Sequence, residues 1–83
     1  MKKNKKFYVY ILRCSDNSLY TGWTTNLKRR LKEHKEGKGA KYTRGRTPLD
    51  LVYYEIFNSR SEAQKRECEI KNYSKTTKEI LIN

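Results

Sequence analysis

Apolar side chains in this sequence are gathered into a few short runs, and the spacing of those runs is the tightest constraint on its fold. Phe7 to Arg13 and roughly Leu19 to Trp23 are rich in aromatic and β-branched residues, with the polar Ser15-Asp16-Asn17-Ser18 between them. That pattern predicts a β-hairpin. Tyr8, Tyr10 and Tyr20 all fall in it, where tyrosines ordinarily serve packing and cross-strand pairing. Tyr10 and Tyr20 have the same parity, so they share a face only if paired positions sum to an even number. This demands an odd-length turn or a bulge near Asp16. Leu51 to Phe57 is apolar on both alternating faces except at Glu55, which predicts a central strand covered on both sides by helices.

Helical spacing fills the remainder. Leu27 and Leu31 recur behind Thr25 or Asn26 as a cap until Gly37 and Gly39 interrupt the pattern. Ser59 or Ser61 can cap a second helix reaching about Tyr73, and Thr76 or Thr77 a short third one ending in Ile80, Leu81 and Ile82. The expected fold is α+β: a small three-stranded antiparallel sheet flanked by helices, in the order β-β-α-β-α-α. A flexible basic tail is expected over residues 1–6 and a single domain over 7–83. Lys38 to Thr47, with four basic residues and two glycines, reads as an exposed loop closed by Pro48.

A chain of 83 residues has room for one core. A domain of this size buries only roughly 60% of its unfolded surface, so the aromatic residues must carry much of that core. Lys and Arg number 20 against nine Asp and Glu, a net charge of +11 that repels itself without an anion nearby. Nucleic acid is the leading partner class, ahead of membrane headgroups or heparin-like polyanions. Cys14 and Cys68 have neither metal-ligand spacing nor a disulfide-framework count, which suits free cytoplasmic thiols. The apolar run after the N-terminal lysines stops at Arg13, too short for a signal peptide or a membrane span.

Some residues sit oddly in this pattern. Arg30 and His34 are four apart and share a helix face bordering the Leu27 and Leu31 stripe. Glu67 falls between Ala63 and Ile70 on the apolar stripe of the second helix. A carboxylate there needs a cation, a metal or hydrogen bonds, and an ion pair with Arg30 or Lys71 is the structural alternative.

Tyr8-Val9-Tyr10, then after nine residues Tyr20-Thr21-Gly22, then Asn26 through His34, resembles the signature of the GIY-YIG nucleases. That family includes homing endonucleases, restriction enzymes and the N-terminal nuclease of the excision-repair protein UvrC, and the chain is most similar to its small stand-alone bacterial members. Tyr8 stands where the name-giving glycine would be, Val9 replaces Ile and Thr21 replaces the second Ile. The resemblance implies a catalytic set of Tyr10, Tyr20, Arg30, His34 and Glu67, with Glu67 as the metal ligand.

One carboxylate suits one Mg²⁺ or Mn²⁺ that keeps several waters and takes a phosphate oxygen, for hydrolysis of a DNA phosphodiester. Tyr10 is expected to accept or relay the proton of the attacking water, although a phenol with a pKa of about 10 needs nearby positive charge to ionise. Arg30 is expected to supply that charge and bind the phosphate, while Tyr20 and His34 orient water or the leaving group. Lys38, Lys41, Tyr42, Arg44 and Arg46 are expected to track the nucleic-acid backbone, with Tyr42 stacking on an unpaired base. The alternative is a non-catalytic nucleic-acid-binding module of the same fold, RNA-associated in one version, since fold does not guarantee activity. DNA is preferred over RNA, and a monomer is the default.

Overall fold

In the computed structural model, which describes residues 5–83, strand β1 (Phe7–Arg13) is the middle of a three-stranded antiparallel sheet. Strand β2 (Leu19–Thr24) pairs with it on one side and strand β3 (Asp50–Phe57) on the other. Helix α1 (Leu27–Lys35) precedes β3, and helices α2 (Arg60–Lys71) and α3 (Lys75–Ile82) follow it, so the order is the expected β-β-α-β-α-α. Residues 1–4 of the expected tail lie outside the described residues, and Lys6 donates to Asn58 Oδ1 at 2.9 Å.

Period-two alternation in β1 divides the core. Phe7, Val9 and Ile11 pack with Ala63 and Ile70 of α2, while Tyr10, Leu12 and Cys14 pack with Leu49 and, more loosely, with Leu27 and Leu31 of α1. The sheet therefore has α2 and α3 on one face and α1 on the other. Five residues, 14–18, close the hairpin, and Tyr10 faces Gly22 while Leu12 faces Tyr20. The paired positions sum to 32, an even number, so the two tyrosines do share a face.

β3 is an edge strand, which corrects the expectation of a central one. Its apolar run covers one face of the core through Val52, Tyr53 and Phe57, but Leu51, Tyr54 and Ile56 are exposed. Aromatic and aliphatic residues on both faces thus do not require two covers; here a register shift between Ile11 and Leu12 also bends the pairing with β1.

Each helix starts on a side-chain cap. Asn26 accepts from the Arg29 N–H and Ser59 from that of Glu62, as the sequence suggested. The third helix starts earlier than expected: Ser74, not Thr76 or Thr77, accepts from the Thr77 N–H, and so Thr76 and Thr77 fall inside the first turn. Arg13 at the end of β1 ties α3 down with two hydrogen bonds of 2.7 Å to Glu79, whose carboxyl is held down at about 2 by them.

Ile70 has no exposed surface and Ile80 is 71% exposed, so the two positions should separate cleanly. Denaturant unfolding is expected to show a loss of about 2–5 kcal/mol for Ile70→Ala and a change within about 0.5 kcal/mol for Ile80→Ala.

Candidate nucleic-acid cleavage site

The polar residues of the core are joined in series. The Tyr10 hydroxyl lies 2.8 Å from His34 Nε2, and His34 Nδ1 lies 2.9 Å from Thr43 Oγ1. Thr43 Oγ1 in turn donates to the Ala40 carbonyl at 3.0 Å. Tyr10, His34 and Thr43 are each at least 99% buried. Because the threonine proton is committed to Ala40, the ring proton belongs on Nδ1, donated to Thr43, and Nε2 is left to accept from the Tyr10 hydroxyl. The alternative tautomer would be served by the Ala40 N–H, which stands farther off at 3.4 Å from Nδ1.

Two glycines make room for this series. A Cβ on Gly22, opposite Tyr10, would lie 2.6 Å from the Tyr10 hydroxyl oxygen, and one on Gly39 would lie 2.3 Å from His34 Nδ1. Both positions therefore exclude a side chain. Tyr20 flanks the pair, its ring centroid 6.4 Å from that of Tyr10 and 5.3 Å from that of His34.

Burial decides the protonation states. It pushes the Tyr10 phenol up to about 12, and the charges of Tyr20 and Glu67 push the same way. Arg30 beside the phenol pulls its pKa down, as expected, but loses to burial. His34 is held below its usual value by burial and then by the Arg30 charge, so the ring is neutral at pH 7. The expectation that His34 orients water or a leaving group directly is corrected: both ring nitrogens are engaged inside the protein, Nε2 with Tyr10 and Nδ1 with Thr43.

Arg30 and Glu67 are the charged neighbours of Tyr10: the guanidinium donates to its hydroxyl and the carboxylate charge acts on it. Arg30 is paired to Glu33 at 3.0 Å on its own helix. Glu67 has 18% of its side chain exposed and meets Lys71 at 3.2 Å, so of the two partners considered from the sequence it takes the lysine. A single carboxylate, partly exposed and balanced by one ammonium, fits a Mg²⁺ that keeps most of its waters; among the described residues no cluster of three or more His, Cys, Asp or Glu offers a fuller ligand set.

The basic loop is less free than expected. Arg46 pairs with Asp16 and donates to the Tyr42 carbonyl, and its guanidinium stands 4.3 Å over the Tyr42 ring. Tyr42 also stacks with Tyr20 at 5.9 Å. Stacking of a base on Tyr42 would compete with contacts already made, which corrects the reading of it as an open platform. Lys38 reaches Glu36 at 3.9 Å, whereas Lys41 and Arg44 are exposed and make no ion pair among the described residues. A hollow of about 520 Å³ lies elsewhere, between α1 and the exposed side of β3, where Leu27, Leu31, Tyr54 and Ile56 line it.

Thr43, Gly39 and Lys71 escaped prediction as site residues. Thr43 and Gly39 sit in a loop whose composition reads as solvated, and only the fold turns it back over His34.

A buried tyrosine–histidine pair on a hairpin and its following helix, with an arginine and a helix-borne glutamate beside it, defines a small α+β domain of the nuclease type. Residues 6–80 match the model of the GIY-YIG catalytic domain, and the chain belongs to that family. A UPF0213 protein of Haloquadratum walsbyi is 58% identical over 78 residues, covering 94% of this chain and 88% of its own. One from Staphylococcus haemolyticus is 59% identical over 77 residues, covering 93% and 94%. The solution NMR structure of a UPF0213 protein from Bacillus halodurans, 53% identical, superimposes with a TM-score of 0.61 over 93% of this chain and 82% of that one. Among the described residues no helix is long and apolar enough to cross a membrane.

Replacing Thr43 by Val keeps its shape and removes the acceptor for Nδ1–H. Unfolding measurements should show a loss of about 1–3 kcal/mol, and ring ¹⁵N NMR should show His34 no longer held as the Nδ1–H form. Gly39→Ala should displace the ring itself and abolish the Tyr10 hydrogen bond in the same spectra.

Proposed function

We propose that this protein is a metal-dependent endonuclease hydrolysing phosphodiester bonds in DNA. The observation that carries the reading is the Tyr10–His34–Thr43 series placed beside Arg30 and Glu67. A phenol with a pKa near 12 is a poor free base, but it need not ionise in advance. As the attacking water hands a proton to the Tyr10 oxygen, Tyr10 passes its own to His34 Nε2, which is neutral and accepts it. Thr43 keeps the ring in the tautomer that makes this possible, and the phenol never carries a full charge in the buried site.

Arg30 holds the scissile phosphate with its planar fork and offsets the charge that develops on it. Tyr20, whose ring flanks Tyr10 and His34, orients the water or the departing oxygen. Glu67 would hold one Mg²⁺ or Mn²⁺, which when bound supplies charge neutralisation at the phosphate. Lys41 and Arg44, exposed on the loop, are placed to meet the backbone of the strand, along with Lys38.

Nicking of plasmid, branched and single-stranded DNA with Mg²⁺ or Mn²⁺ tests the reading. Tyr10→Phe should lower the rate by about 10²–10⁴-fold, and Glu67→Ala should abolish it while DNA binding persists. Equal nicking by all three proteins defeats the assignment, and binding without nicking in the unaltered protein selects the non-catalytic module instead. The pH profile is a second check. His34 must be neutral to accept the proton and its pKa lies below the usual 6.5, so the rate should hold as pH falls through 6.5 and decline only below it.

A further inference from the structure

The chemistry proposed above leaves unused the hollow at the free edge of β2. It measures about 230 Å³ and is walled by Leu19, Tyr20, Thr21, Tyr42, Lys71 and Lys78. Sharing Tyr20 with the cleavage site, it lies directly beside it. Two lysines, from α2 and α3, line it and no acidic residue does. Lys78 makes no ion pair among the described residues. Thr21 is 3% exposed, and its hydroxyl is the one buried side-chain polar atom among the described residues with no hydrogen-bond partner.

We infer that this hollow is a second phosphate site, holding on Lys78 and Lys71 the backbone phosphate adjoining the one presented to Tyr10. The inference rests on the nucleic-acid reading and names the part of the strand that the edge of β2 receives. Lys71 is shared between two anions. In the protein alone it neutralises Glu67 at 3.2 Å. A divalent ion on Glu67 removes that demand and frees the ammonium for the phosphate, so ion and strand each strengthen the binding of the other.

The test is anisotropy of fluorescein-labelled DNA on the full chain, titrated with NaCl, with and without Ca²⁺, beside the nicking assay. Lys78→Gln should make the slope of log affinity against log salt shallower by about 0.7–0.9 in both conditions, the release expected for one phosphate contact. Lys71→Gln should do so only with Ca²⁺. Lys78→Arg should restore the slope, and Lys65→Gln, exposed and outside the hollow, should leave it unchanged.

An unchanged slope in Lys78→Gln overturns the proposal even if nicking persists, whereas the expected slopes in a protein that nicks nothing keep the phosphate site and remove the hydrolytic reading. NMR shifts at Lys78 with inorganic phosphate, in a variant series where DNA slopes do not move, would assign the hollow to a free anion and also overturn it.

Discussion

Hydrogen bonds running from the Tyr10 hydroxyl through His34 to Thr43 and the Ala40 carbonyl occupy the centre of a domain that has little interior to spare. Polar groups so deeply buried are tolerable only when every one of them is paired. Much else follows from that requirement. Gly22 and Gly39 must lack side chains, α1 must present His34 inward, and the loop after α1 must fold back far enough to deliver Thr43. The same burial raises the phenol and lowers the imidazole, so neither is charged in the resting protein and the pair is poised for a proton to pass between them.

Charge is handled by a different rule at the surface. Most acidic residues are spent on basic neighbours: Asp16 on Arg46, Glu33 on Arg30, Glu55 on Arg66, Glu67 on Lys71 and Glu79 on Arg13. Several of these pairs join separate elements, as Arg13 joins β1 to α3 and Arg66 joins α2 to β3. What is left over is positive, and it includes Lys41 and Arg44 on the loop and Lys78 on α3 beside the hollow at the edge of β2. A strand of nucleic acid relieves the repulsion that the excess creates, which ties the composition of the chain to the surface its fold exposes.

Much of the framework was legible beforehand. Strand parity set the condition for Tyr10 and Tyr20 to share a face, and the five-residue turn meets it. Asn26 and Ser59 capped their helices as their residue types suggest, and Glu67 stood out as a carboxylate on an apolar stripe. Local sequence patterns are ambiguous at other positions. The apolar run in β3 fits a one-sided edge strand as well as a two-sided central one, because continuous hydrophobicity reports residue type and not the number of neighbours. A tyrosine in a basic loop reads as available for a base, whereas Tyr20 and Arg46 lie against the ring of Tyr42.

By itself, then, the sequence determined which side chains share a strand or helix face, where helices can begin, and the sign of the charge the surface must carry. These are consequences of backbone period, of capping groups and of composition, all of which act within a few residues. The order β2-β1-β3, the seat of Thr43 on His34 and the choice of Lys71 over Arg30 as the partner of Glu67 belong to the tertiary structure. Each joins groups whose approach depends on how distant segments close over a shared core, and no period written along the chain encodes that closure.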